Sequence, residues 1–164
     1  MNREEILKDL TKKFKADIID IFDKTRKRVY IEIKPKSLVK VATYIFKDQK
    51  ARFNIATGRD ARDYIEILYH FTVEDINLLI SLRVKLAKDK LEIDSLAPHF
   101  KAADWIEREI HELLGVNFKG HPDLRRLLLP EDWPEGVYPL RADYEEWDPQ
   151  AVRDRGIEKN KKPK

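Results

Sequence analysis

Between residues 117 and 148 the sequence carries Pro122, Pro130, Pro134 and Pro139, and no other feature limits the fold as much. Proline fixes φ and lacks an N–H, so neither a helix nor an inner strand can run through this stretch. An irregular segment of such length in a compact chain is either functional or disordered. Disorder fits poorly, because the stretch also holds Phe118, Trp133, Tyr138, Tyr144, Trp147 and the triplet Leu127, Leu128, Leu129, and disordered chains are poor in such anchors. The reading is an ordered arm. Its aromatic, leucine and arginine side chains bury against the chain's own domain or against a partner, interface cores being rich in aromatic and arginine residues.

Upstream, hydrophobic spacing alternates between helical and strand periods. Ile6, Leu7, Leu10 and Phe14 recur at helical spacing. Residues 18–22 and 28–33 read as strands, the second with Val29, Ile31 and Ile33 on one side. Pro35 opens a helix whose stripe is Leu38, Val39, Ala42, Ile45 and Phe46. Residues 53–56, 64–71 and 76–86 read as further strands, with Gly58, Arg59 and Asp60 as a turn. A last helix starts at Asp104 as cap, with Glu107 as capping-box partner, and stops at Gly115. Its stripe is Ile106, Ile110, Leu113 and Leu114. This order predicts an α+β fold: a mixed or antiparallel sheet with helices on one face, then a helix and a long extended C-terminal arm. The expected segments are an α+β domain over 1–98, helix plus partner-binding arm over 99–148, and a basic tail over 149–164.

Several chemistries are excluded or unsupported. The chain has no Cys, so it offers no disulfide, thiolate nucleophile, or Cys-held zinc or iron–sulfur site. No apolar run approaches the roughly 20 residues of a membrane span, and the N-terminus, Met1-Asn2-Arg3-Glu4-Glu5, lacks a signal-peptide core. The expectation is a cytoplasmic protein that meets a membrane only through partners. Charged residues make up 38% of the chain and Asn and Gln are few, a balance commoner in thermophiles. Net charge is +3, but residues 153–164 hold six Lys/Arg against two Asp/Glu, which leaves the rest at −1. A near-neutral body argues against nucleic-acid binding. The tail reads as a solvated end, and a tail-mediated nucleic-acid module is a separate hypothesis that predicts salt-dependent binding.

His111-Glu112 lacks a second His four residues on, so the zinc-protease pattern fails. His111 instead lies one turn after Glu107, the spacing of a helix-surface pair. His121 suits a structural hydrogen bond or an interface contact. A stand-alone enzyme using His121 with a nearby carboxylate is the rival reading. No nucleophile elbow or phosphate-cradling glycine loop is present, and no catalytic, cofactor-binding or metal residue is assigned. Arg108, Glu109, Arg125, Arg126 and Arg141 read as clamps, on a partner or within the domain.

The run Trp105-Ile106-Glu107-Arg108-Glu109 is followed by Gly120-His121-Pro122-Asp123-Leu124-Arg125-Arg126-Leu127-Leu128-Leu129, and then by Pro139-Leu140-Arg141-Ala142-Asp143-Tyr144. These motifs, over about forty residues in order, resemble the 30-kDa subunit family of complex I. The resemblance implies a cofactor-free, non-catalytic subunit of a membrane-attached redox complex. Its implied partners are a hydrogenase-like large subunit and the iron–sulfur small subunit, with the arm wrapped on the former. Carried over, Arg108, Glu109, His121, Asp123, Arg125, Arg126, Arg141 and Asp143 supply polar interface contacts. Trp105, Leu124, Leu127, Trp133 and Tyr144 supply apolar anchors. Arg126→Ala is expected to weaken assembly without unfolding the domain. Respiratory members usually carry an aromatic, Asp and an aromatic where this chain has His111, Glu112 and Leu114, and a basic residue where it has Ala142. These departures favour the branch of membrane-bound hydrogenases and ferredoxin-linked archaeal reductases. The alternative is the equivalent subunit of an NADH- or F420H2-quinone oxidoreductase.

Overall fold

The computed structural model describes residues 2–146. The basic tail and Trp147 lie outside the described residues. Helix α1 (Arg3–Lys13) starts at a capping box in which Asn2 and Glu5 each accept the other's N–H. It buries Ile6 and Leu10, and Phe14 at its end meets Tyr44 edge-on. Strands β1 (Ile18–Thr25) and β2 (Arg28–Ile33) form a hairpin. A 3-10 turn at Pro35–Ser37 leads into helix α2 (Leu38–Lys47), which buries Leu38, Val41, Ala42 and Ile45. Strands β3 (Arg52–Asp60), β4 (Tyr64–Val73) and β5 (Leu78–Ala87) follow. The five strands pair in the order β1-β2-β5-β4-β3. Only β2 and β5 run parallel; the other pairs are antiparallel. The sheet is therefore mixed, and the fold is α+β as its sequence pattern predicts.

One sheet face carries Ile65, Ile67, Tyr69 and Phe71 of β4, all fully buried. They meet the helices, and Phe46, Phe53, Phe71 and Phe100 form a ring cluster there. The opposite face is polar. On it the buried carboxylate of Glu66 accepts from Arg59 at 2.5 Å and pairs with Arg83 at 2.9 Å, which gives the carboxylate charged partners where water is scarce.

Helix α3 (Asp104–Leu114) crosses over β3, and the short strands β6 (Glu92–Asp94) and β7 (Asn117–Lys119) pair in parallel beside it. The pairing of β6 with β7 is absent from the sequence reading, because three-residue strands leave no period to detect.

Three expectations need correction. Gly58, Arg59 and Asp60 lie inside β3, not in a turn. Gly58 serves close packing: a Cβ there would come within 2.6 Å of Leu114 Cδ1. The turn falls later, at residues 61–63, where Arg62 takes a positive φ and its N–H donates to Asp60 Oδ1. Asp104 is not the cap of α3. A 3-10 turn at Lys101–Ala103 runs straight into the helix, and no side chain caps it, since i→i+3 bonds already serve its first N–H groups. The strand expected over 76–86 is β5, which starts at Leu78, because Glu74–Ile76 forms a 3-10 turn ended by Asn77 in the left-handed region. Gly115 does stop α3, at φ +77.

Candidate partner interface

Helix α3 has buried charges where an isolated amphipathic helix would have apolar residues. Glu107, Arg108 and Glu112 are all buried alongside Ile110 and Leu114. Each has a specific main-chain or hydroxyl partner, as buried charge requires.

Arg108 and Glu112 lie one turn apart on α3 and grip consecutive residues of the arm. Arg108 Nε donates to the Arg125 carbonyl at 3.0 Å, and Nη2 to the Arg126 carbonyl at 2.6 Å. Glu112 accepts from the N–H groups of Leu127, Leu128 and Leu129 at 2.9, 2.6 and 3.3 Å. Among the described residues no strand pairs with 125–129, and helix side chains satisfy the backbone groups that a sheet would otherwise satisfy. Arg126 then bends the arm on itself, donating to the carbonyls of Pro130 at 2.6 Å and Trp133 at 2.5 Å. Trp133 Nε1 donates to the Val137 carbonyl at 2.8 Å, and its ring stacks on Tyr144.

The arm returns to the end of α3. Leu140 N–H donates to Leu113, and Arg141 Nε to Leu114 at 2.9 Å, with the guanidinium over the Tyr138 ring. These bonds serve carbonyls that the helix end leaves open. Ala142 N–H then reaches Asp60. Burial raises the Asp60 pKa, but Lys88 and the N–H groups of Ala142 and Arg62 outweigh it and hold the carboxyl below its usual range. Gly115 sits under this contact, where a Cβ would meet Arg141 and come within 2.6 Å of Tyr138 Cζ. Gly115→Ala is expected to cost about 2 kcal/mol, from the left-handed backbone and the displaced arm. Thermal unfolding measures it, and an unchanged Tm would refute the packing argument.

Glu107 turns inward to the 95–97 loop. It accepts from Ser95 Oγ at 2.5 Å and from the Leu96 N–H at 2.7 Å. Burial pushes its pKa up to about 7, against these hydrogen bonds, and the charge of Asp104 adds to the rise. The sequence expectation of a surface pair with His111 fails, because Glu107 faces the core and His111 Nδ1 lies 2.8 Å from the Val116 carbonyl. The His121 ring is buried beside Glu107. Its Nδ1 accepts from the Asp123 N–H at 3.0 Å, so Nε2 carries the proton, 3.1 Å from the Asp104 carbonyl.

The remaining residues expected at an interface are placed as follows. Asp123 pairs with Arg125 at 2.9 Å on the surface. Leu124 packs on the core, and Asp143 is exposed. Trp105 is 69% exposed and Glu109 half-buried on the outer side of α3. Leu128 and Leu140 are 59% and 57% exposed. The internal bonds thus fix the arm's backbone while large apolar side chains stay in solvent. Sequence reasoning missed the inward roles of Glu107 and Glu112. For Glu112 the only signal is its place one turn after Arg108.

Residues 31–150, from β2 through the sheet, α3 and the arm, match the family described as "Respiratory-chain NADH dehydrogenase, 30 Kd subunit". The chain belongs to this family. Among members of the 30 kDa subunit family and their relatives, it is 34% identical over 136 residues to a subunit of the NADH-quinone oxidoreductase of Ruegeria pomeroyi. That match covers 79% of this chain and 66% of the relative. It is 31% identical over 144 residues to formate hydrogenlyase subunit 5 of Escherichia coli, covering 85% of this chain but 25% of that protein. The chain thus spans less than two thirds of these relatives' lengths. Its fold matches that of a chain in the membrane-bound sulfane sulfur reductase, an archaeal respiratory membrane complex. The TM-score is 0.78 at 19% identity, covering 98% of this chain and 95% of that one. Among the described residues no helix is long and apolar enough to cross a membrane.

Proposed function

We propose that this 30 kDa-family chain is a non-catalytic structural subunit of a multisubunit membrane-bound respiratory oxidoreductase of the hydrogenase or ferredoxin-linked kind. It clamps a hydrogenase-like large subunit and an iron–sulfur subunit together, on the cytoplasmic face, and reaches the membrane only through them. The observation that carries this reading is the arm itself. Arg108, Glu112 and Arg141 fix its backbone, while Trp105, Leu128 and Leu140 stay exposed. Preorganised aromatic and aliphatic anchors lower the ordering cost of binding a partner. The likeness to formate hydrogenlyase subunit 5 supports it too, since there a domain of this size is a quarter of a longer polypeptide. A domain joined to further sequence in one protein is expected to sit against the corresponding subunit in another.

A second reading, the equivalent subunit of an NADH- or F420H2-quinone oxidoreductase, is favoured by the identity to the Ruegeria protein. The rival enzyme reading has little support, because both His121 ring nitrogens are taken up by backbone groups.

Purification of the native chain from membranes in mild detergent, with mass spectrometry of what accompanies it, tests the proposal. Recovery with a large subunit and iron–sulfur proteins is expected, and the large subunit's ligands then separate the two readings. Recovery alone would refute both. Trp105→Ala should lower that recovery by roughly tenfold, as for an interface anchor, with Tm unchanged because the ring is exposed. A normal yield would remove Trp105 from the interface.

A further inference from the structure

The five-stranded sheet ends in two edges, and they differ. Strand β1 is interrupted by register shifts after Ile18 and Asp23, and it carries Asp20, Asp23 and Lys24. Bulges and charges of this kind are how proteins guard an edge against pairing. Strand β3 has a single register shift, between Phe53 and Ile55, and beyond it keeps unbroken register with β4 to Asp60. Among the described residues no chain segment pairs with its outer side. Ile55 on this edge is 48% exposed.

Beside the same edge lies an apolar cleft of about 170 Å³, walled by Ile55, Gly58, Ile110, Leu113 and Leu140. It exists because α3 crosses β3 at Gly58 and the arm returns over Leu113. Glu109 stands in its wall, and among the described residues it has no hydrogen bond or ion pair. Trp105 lies one turn before it on the helix. Unsatisfied backbone, a pocket for a side chain and a lone carboxylate thus sit within one surface.

We infer that β3 is a strand-addition site: an extended segment of the partner subunit pairs with its outer edge, places an apolar side chain in the cleft, and sets a Lys or Arg against Glu109. Main-chain pairing supplies affinity in such sites, and pockets for alternate side chains supply specificity. The carboxylate decides the occupant's charge. An acidic segment would be repelled by it, and a purely apolar one would leave it desolvated without a partner. This inference rests on the proposed function, since it names how the partner is held.

Hydrogen exchange of β3 amides is the test, measured in the isolated full-length chain and in the complex recovered from membranes. Slower exchange over residues 52–60 in the complex is expected, with β1 unchanged. Ile55→Lys and Glu109→Arg should each lower partner recovery by roughly tenfold and leave the isolated chain's Tm unchanged, as neither side chain is in the core. Equal β3 exchange in both states, or normal recovery of both variants, would overturn the inference and leave the proposed function standing. An isolated chain that is dimeric and becomes monomeric with Ile55→Lys would assign the edge to a second copy and overturn it as well. Failure to recover any partner would instead refute the proposed function.

Discussion

Replacing Glu112 with alanine will free residues 127–129 of the arm from α3 while the sheet stays folded. The carboxylate holds three consecutive N–H groups of residues 127–129, and among the described residues no other side chain accepts from them. Hydrogen bonds to a buried charge are the strong ones, so the local cost is about 3 kcal/mol. Exchange of the 127–129 amides should therefore rise by roughly a hundredfold, with β4 and β5 unaffected. Arg108→Ala should loosen the same stretch through the 125 and 126 carbonyls. Because both side chains hold one segment, the double variant should lose less than the two singles together, by about 1 kcal/mol. Strict additivity in a double-mutant cycle would show that the two grips are independent. Unchanged exchange in Glu112→Ala would show that the arm is held by its apolar contacts instead.

The second large effect is a pH dependence from Glu107. Its folded-state pKa is raised to about 7 by burial, from 4.5. Between these values the folded state binds a proton that the unfolded state does not, so stability falls as pH rises through the window. The contribution is fully present below pH 4.5 and lost above pH 7. The interval corresponds to about 3 kcal/mol. Glu107→Gln stays neutral throughout: its oxygen can accept from Leu96, and its amide can donate to Ser95 Oγ. Urea unfolding of both proteins should give curves that converge near pH 4.5, with the variant the more stable by about 3 kcal/mol at pH 8. Parallel curves across that range would refute the assignment. Below the window the lowered carboxyls of Asp17, paired with Lys40 and Ser37, and of Asp60 act in the opposite sense, losing their contribution as pH falls.

Much of the scaffold is legible from residue spacing. Val29, Ile31 and Ile33 alternate into the core as their period requires, and so do Ile65, Ile67 and Tyr69. The stop at Gly115 follows from the left-handed residue a helix end needs. Gly58 reads as a turn residue, because a glycine in sequence does not say whether it is there for a turn or for a neighbour's approach. Here the neighbour is Leu114, fifty-six positions away in the chain. Helical spacing likewise puts Arg108 and Glu112 on one face, but a charged face reads as solvent unless what lies on it is known.

The sequence by itself determined the order of the two N-terminal helices, the five main strands and the last helix, the apolar stripe of most of them, and the irregular arm. Those depend on side-chain period and on proline, which act locally. It also determined the family, through motifs that span α3 and the arm. Only the tertiary structure decided that Glu107, Arg108 and Glu112 turn inward. Their partners are mainly backbone carbonyls and N–H groups, which every residue carries and no sequence pattern marks. The same holds for the open edge of β3. Whether a strand has one neighbour or two is a property of the folded sheet, and the strand's own residues are compatible with either.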